Sequence, residues 1–365
     1  MSNINLKRFV DINIQSHVTS VVSGTRDTVV LYTSEGEDNT PKLITSLSEA
    51  QTTYSDAPNT LAYLTVYFNN GGVNALVIGN TSYNSITAEM IKALDNKYIL
   101  VAYAASSSEL TNVYTKLKQI AQEREADTAT IDGIYGINEK IILARTESFT
   151  DSDSVKNFAV KYSTVQGAEM TMAAYLSKIN VYSVNSIFDY AFTNENITAS
   201  EISDENFNAL ITNNINVDID LANSIRNCGG NCKDGADLTN SFVKIILHQT
   251  LTDNLINLLS QKIKNSSGLG KIYTTISQEL EHYLNAGYLT TDKIWTDNTL
   301  YITKNNVKYT IIEQGTPLIN GYHITVLPMS SLTPSEKAEH KAPIIYVIIA
   351  DSYGIRKITI NGEVI

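Results

Sequence analysis

Cysteine is almost absent from this 365-residue chain: the two present, Cys228 and Cys232, stand in NCGGNCKDG with three residues between them. That spacing could close a small loop or supply half of a metal site. Zinc, however, takes about four ligands, no His or third Cys lies near in sequence, and reducing cytosol keeps such thiols free. Free thiols are therefore expected. Basic residues are also in deficit, 27 Lys and Arg against 38 Asp and Glu, for a formal net charge of −11. Binding to nucleic acid depends on cations that neutralise phosphates, so this balance argues against a nucleic-acid partner. No apolar run approaches the roughly 20 residues of a spanning helix, and the opening MSNINLKRFVDINIQ lacks the apolar stretch of a secretory signal. No membrane insertion and retention in the cytosol are expected.

The constellations that carry catalysis are missing as well. SSGLGKIYTT has a Gly-Lys pair, yet a phosphate-cradling loop needs four residues between its glycines and Ser or Thr after the Lys. Its expected role is a turn between two helices. The five histidines, His17, His248, His282, His323 and His340, are isolated, with no pair at the i, i+4 spacing of a helical zinc site. Asp218 and Asp220 in NVDIDL alternate with apolar residues, so both carboxylates are expected on the wet face of a strand. The 21 tyrosines are spread along the whole length rather than gathered into a sugar-binding surface, which suits cores and subunit contacts. The expectation is a protein with no enzymatic activity, no cofactor and no metal.

What is present is a well-patterned globular chain, with 43% hydrophobic and 18% charged residues, long enough for one large domain or two ordinary ones. In LKRFVDINI, Val10, Ile12 and Ile14 alternate with Asp11 and Asn13, the period of a strand with one buried face. TVVLYT, ALVIG, YILVAYA and KIILA read as buried strands. Between them, SLSEAQTTYSDAPNTLAYLTVYFNNGG gives two helical stretches stopped at Gly71 and Gly72, ITAEMIKALD looks helical, and SSELTNVYTKLKQIAQERE is an amphipathic helix. This alternation predicts a layered α/β (α+β) unit. From 150 to 235 the pattern is weaker: helical pieces at DSVKNFAVKYS, AEMTMAAYLSKI and DENFNALITN, and strands at DYAFT and INVDIDL. Beyond a boundary near Gly235, one helix carries Val243, Leu247, Leu251, Leu255, Leu258 and Leu259 at helical spacing, and a second carries Ile272, Ile276, Leu280, Tyr283 and Leu284. Strands TLYIT, VKYTII and GYHITVLP follow.

The last segment is the most informative. In SLTPSEKAEHKAP, Thr333 is an N-cap, Pro334 suits the first helical position and Glu336 completes a capping box. Pro343 ends this helix, which is expected to run two to three turns with Lys337, His340 and Lys341 on one face. PIIYVIIAD and IRKITINGEVI close the chain as strands, the second alternating Ile358 and Ile360 against polar neighbours.

The order of these segments resembles the contractile phage tail sheath family, in particular its shorter members. At the start, the resemblance is carried by FVDINI, TVVLYT and the helix-Gly-Gly-strand run NTLAYLTVYFNNGGVNALVIGN. At the end, it is carried by the helix pair finishing NAGYL and by GYHITVLPMSSLTPSEKAEHKAPIIYVIIADSYGIRKITINGEVI. Residues 150–235 carry none of it, and Lys337 and His340 stand where the family commonly has arginines, so a bidentate Arg contact is not expected. The resemblance implies a multidomain sheath fold: an N-terminal linking arm over 1–20, an outer α/β domain over 21–235, an inner C-terminal domain facing the tube over 236–350, and a C-terminal strand arm over 351–365. It implies that Val10, Ile12, Ile14, Ile358 and Ile360 add strands to sheets of neighbouring copies, and that Lys337, His340 and Lys341 face the tail tube. It further implies hexameric rings stacked helically, contraction that drives the tube through a host envelope, tail tube, baseplate and tail terminator proteins as partners, and a place in the virion after assembly in host cytoplasm. The alternatives are the sheath of a genome-free injection particle or bacteriocin, and, in another class, a carbohydrate-binding surface module of the virion.

Overall fold

The computed structural model describes residues 28–352, except 37, 88–89, 92–93, 95–96, 105, 127–139, 185–188, 222 and 262–264. The described residues form two compact units, one from 28–179 and 189–242, the other from 180–184 and 243–352.

The first unit is built on an eight-stranded sheet in the order β2-β3-β1-β4-β5-β6-β7-β8. Its strands are β1 (Thr28–Tyr32), β2 (Lys42–Ile44), β3 (Asn74–Ile78), β4 (Ile99–Ala102), β5 (Ile141–Thr146), β6 (Phe158–Tyr162), β7 (Asn216–Leu221) and β8 (Ser224–Cys228). The six from β3 to β7 run parallel, and β2 and β8 close the edges antiparallel. Parallel strands need crossovers. They are supplied by α1 (Leu47–Thr53), α2 (Pro58–Asn69), α3 (Ser107–Ala126), α4 (Met170–Ser177) and α5 (Asp204–Thr212). Helix α3 packs Leu110, Val113, Leu117 and Ile120 on the face that carries Val30, Leu100, Ile142, Val160 and Val217, with Leu210 of α5 beside them. On the other face α4 packs against β1, β4 and β5 and against α2. Both sheet faces are thus covered, which is why the central strands read as apolar runs.

Local signals explain where these elements stop. Helix α2 ends in a Schellman motif: Gly72 N–H donates to Tyr67 O at 3.0 Å and Gly71 N–H to Phe68 O at 3.0 Å, with Gly71 at φ +80°. Gly72 serves a different need, since a Cβ there would lie 2.4 Å from the Tyr67 ring. That ring is pinned by its hydroxyl, which accepts from Val73 N and donates to Asn74 O. The start of α2 lacks a side-chain cap of its own. Glu35 substitutes for one: its carboxylate accepts from Thr60 N at 2.8 Å, Thr60 Oγ1 at 2.7 Å and Asn59 Nδ2 at 2.7 Å, and these bonds hold its pKa below the ordinary value against the opposing effect of burial.

The second unit holds α6, which begins in the first unit (Leu238–Ser260), α7 (Asn265–Ala286), α8 (Pro334–Ala338) and two antiparallel pairs. One pair is β9 (Leu300–Lys304) with β10 (Val307–Ile312); the other is β11 (Tyr322–Val326) with β12 (Ile345–Ile349). Asn305 and Asn306, at φ 52° and 60°, make the β9–β10 turn, as expected of a two-residue type I′ hairpin. Trp295, Ile311, Ile312, Leu318, Leu327 and Ile348 form a core beneath the pairs. Helices α6 and α7 meet through Asn254 Nδ2 and Glu279 Oε2 at 3.0 Å.

Several sequence expectations are corrected. DSVKNFAVKYS is not helical: Asn157 sits at φ 49° and Phe158–Tyr162 is the buried strand β6, because short apolar runs fit either period. DYAFT is a turn rather than a strand, with Phe192 at φ 62°. SSGLG lies inside the first turns of α7, not between the helices. Leu259 is 43% exposed, unlike the other apolar residues of its row on α6. Strands β2 and β8 were not anticipated, and half of ITAEMIKALD lies outside the described residues.

Candidate functional site

Among the described residues no three His, Cys, Asp or Glu gather as a metal site, and no helix is long and apolar enough to cross a membrane. Cys228 and Cys232 are buried and form no disulfide. Burial, with Asp218 nearby, pushes the Cys228 thiol up to about 11, the opposite of what a reactive thiolate requires. His17 lies outside the described residues. His323 Nε2 is 2.9 Å from both Ile311 O and Thr325 Oγ1, a strand-packing role, and the His282 ring meets Tyr182 edge-on at 5.2 Å.

The terminal helix has the start the sequence specifies. Thr333 Oγ1 accepts from Glu336 N at 3.2 Å and the Glu336 carboxylate accepts from Thr333 N at 2.8 Å, a complete capping box behind Pro334. Lys304 Nζ reaches Glu336 Oε1 at 2.7 Å. These contacts, the Lys304 bond foremost, bring the Glu336 carboxyl down to about 2 from the ordinary 4.5. A carboxylate whose folded pKa is depressed stabilises above its ordinary value, and that contribution is lost as the pH falls through the folded value. Protection of the α8 amides from hydrogen exchange is therefore expected to decline between about pH 4.5 and about pH 2. In Glu336→Gln it should already be low at neutral pH and flat across that range; a wild-type profile in the variant would dismiss the box as the source.

The end of this helix is not as expected. It stops at Ala338, and His340 takes φ 56°. His340 N–H donates to Lys337 O at 3.2 Å and Lys341 N–H to Glu336 O at 3.0 Å, a Schellman motif with His where Gly is usual. The three residues are all exposed, but the left-handed residue turns the chain, so Lys337, His340 and Lys341 do not share one helical face. Lys341 pairs with Glu339 at 2.6 Å. Because a left-handed non-glycine residue costs about 1 kcal/mol, His340→Gly is expected to stabilise the second unit by about 0.5 to 1 kcal/mol. His340→Val should do the reverse; equal urea midpoints for the two variants would refute this account of the cap.

Val10, Ile12, Ile14, Ile358 and Ile360 lie outside the described residues. Among the described residues, β11–β12, which pairs from Tyr322↔Ile349 to Val326↔Ile345, and β9–β10 are two-stranded sheets.

One cluster was misread from the sequence. Asp220 is exposed as expected, but Asp218 is fully buried, because the face of β7 that carries it is covered. The Lys161 ammonium of β6, also fully buried, donates to Glu195 Oε2 at 2.5 Å, Thr171 Oγ1 at 2.5 Å and Tyr190 Oη at 2.9 Å. Its nitrogen lies 2.9 Å from Asp218 Oδ1, and Tyr190 Oη donates to Glu195 Oε1 at 2.5 Å. Burial pushes the Asp218 carboxyl up to about 7, with Lys161 opposing and Glu195 adding to the rise. A second buried pair stands on β5, where Arg145 Nε lies 3.8 Å from Glu169 Oε2 and Nη1 bonds Glu147 at 2.9 Å.

No family model and no curated protein matches the chain. Solved structures do. A chain of the anti-feeding prophage baseplate, seen by cryo-electron microscopy, aligns with a TM-score of 0.63 at 15% identity over 97% of this chain and 98% of its own. A chain of the PVC sheath complex of an extracellular contractile injection system, in the contracted state, aligns with a TM-score of 0.62 at 14% identity over 97% and 96%. The sheath tail protein of Desulfitobacterium hafniense aligns with a TM-score of 0.50 at 7% identity over 80% and 93%. From its first unit to its second, this chain has the tail sheath fold.

Proposed function

We propose that the protein is a structural subunit of a contractile tail sheath, polymerising as stacked hexameric rings around a tail tube and contracting to drive that tube through a host envelope. The observation that carries this reading is the likeness to a chain of the PVC sheath complex over 97% of this chain and 96% of that one. The role is non-enzymatic and needs no cofactor. Assembly takes place in host cytoplasm on the tube, between baseplate and tail terminator proteins, and the product is part of a virion.

Strand addition is the linking device. A two-stranded antiparallel pair such as β11–β12 is marginal alone, and open edges accept further strands. Arms containing Val10, Ile12 and Ile14, and Ile358 and Ile360, from neighbouring copies complete it. A sheath from a genome-free injection particle is the second reading, favoured by the injection-system name of the PVC complex. Electron microscopy of the purified chain tests the proposal: tubular polymers are expected, and discrete particles at every concentration and salt would refute it. The same images of native particles, with or without a capsid on the tube, separate the two readings.

The exposed Lys337, His340 and Lys341 are assigned to the tube-facing surface. Exposed ion pairs are worth about 0 to 1 kcal/mol each, so such contacts break readily during contraction. Lys337→Glu with Lys341→Glu is expected to shift stability by no more than about 0.5 kcal/mol, yet to reduce co-assembly with the tube. Tails at normal yield would remove these residues from the interface.

A further inference from the structure

We propose that Lys161 and Asp218 become joined by an intramolecular amide bond, with Glu195 carrying the protons, so that β6 and β7 are covalently tied. Lys161 pairs in register with Asn216, and side chains alternate along a strand, so Asp218 presents its carboxyl on the same sheet face, on the diagonal that a lysine spans. The nitrogen is 2.9 Å from Asp218 Oδ1, and both groups are fully buried. The ammonium also donates to Thr171, Tyr190 and Glu195, which fixes its position against Asp218. The amine and the acid are therefore held in direct contact in a water-free cluster, which keeps the two reacting groups together without the entropic cost of an encounter.

Charge and burial point the same way. Lys161 and Asp218 are fully buried and the Glu195 side chain is 4% exposed. Two carboxylates and one ammonium without solvent leave an uncompensated charge, so the site retains one extra proton. It resides on Asp218, whose carboxyl burial has driven up to about 7. The starting state is then ammonium, carboxylic acid and carboxylate, neutral in sum.

The step balances without oxidant or reductant. Glu195 takes one proton from the ammonium; the freed amine lone pair adds to Asp218 Cγ, forming the N–C bond. Glu195 relays a second proton from that nitrogen to a carboxyl oxygen, and the Cγ–O bond breaks with departure of water. The products are a neutral amide, one water and Glu195 as the neutral acid. The bond removes the buried ion pair, and absence of solvent opposes its hydrolysis. Tyr190, donating to Glu195 Oε1 at 2.5 Å, positions the proton carrier.

Intact mass of the unfolded full-length wild-type chain decides the matter. It is expected one water below the sequence mass, with a branched proteolytic peptide containing Lys161 and Asp218. A full sequence mass, or a water loss that maps to other residues, overturns the proposal. Glu195→Gln, which keeps both partners and nearly the same volume, is expected to show the full mass in folded protein, as are Lys161→Ala and Asp218→Ala. A joined peptide in Glu195→Gln would overturn the role of Glu195. The wild-type mass is decisive even if every variant misfolds, and it does not depend on the sheath reading.

Discussion

Removal of residues 1–14 is expected to yield a chain that melts at the wild-type temperature but forms only rings or very short stacks instead of long tubes. The reasoning is energetic. An arm that adds one strand makes about four or five backbone hydrogen bonds, each worth roughly 0.5 to 1.5 kcal/mol net, so one joint is worth a few kcal/mol. Each 1.4 kcal/mol is tenfold in an equilibrium constant. Loss of about 3 kcal/mol per joint therefore weakens every contact between copies by roughly a hundredfold, and a polymer multiplies that loss along its length. Folding is spared because the described cores, from Val30 to Val217 in one unit and from Trp295 to Ile348 in the other, contain none of the deleted residues. Tube lengths by electron microscopy, with thermal melting as the control, give the answer. Sheaths of normal length from the truncated chain would refute the arm assignment and with it the lattice.

Where the fold was legible, local chemistry was sufficient. The strands β1, β3, β4 and β5 are runs of Val, Ile and Leu whose type does not depend on which neighbour they pair with. Thr333, Pro334 and Glu336 specify a helix start within four residues, and the structure completes the capping box as written. Gly71 announces a left-handed stop because few other residues adopt that backbone easily. His340 fills the same position on α8 and announced nothing, since a histidine carries no such signal. The misreading of Asp218 has its origin in burial of the second sheet face. NVDIDL alternates faithfully, but alternation distinguishes two faces without saying that one is wet. With helices on both sides of the sheet, the polar face of β7 is interior at Asn216 and Asp218. The lone Lys161 in the apolar run FAVKY was the available clue: a cation in a fully buried strand requires an anion facing it.

The second large effect lies at that cation. Lys161→Met keeps most of the volume and removes the charge that balances Asp218 and Glu195. Breaking a buried pair from one side costs about 3 to 5 kcal/mol, because the remaining charge has neither water nor partner. Urea unfolding should show a loss of that size at neutral pH relative to wild-type chains in which the pair is still ionic; relative to joined chains, which hold no ion pair, the loss is that of the cross-link. The pH dependence separates the two contributions. Without Lys161, the effect that lowered the Asp218 pKa is gone, so its folded value rises further above the ordinary 3.8. The folded variant then binds more protons than the unfolded chain, and stability falls as pH rises from the ordinary value through the raised one. The variant should accordingly recover part of its loss when the pH is lowered from about 8 to about 5, whereas a lost cross-link is indifferent to pH. Lys161→Met combined with Asp218→Asn and Glu195→Gln should regain most of the electrostatic part, since no charge is left to strand. A single variant that loses under about 1 kcal/mol would mean that water reaches the cluster and screens it. The geometry at Lys161 would then be an ordinary polar contact and not the covalent tie between β6 and β7.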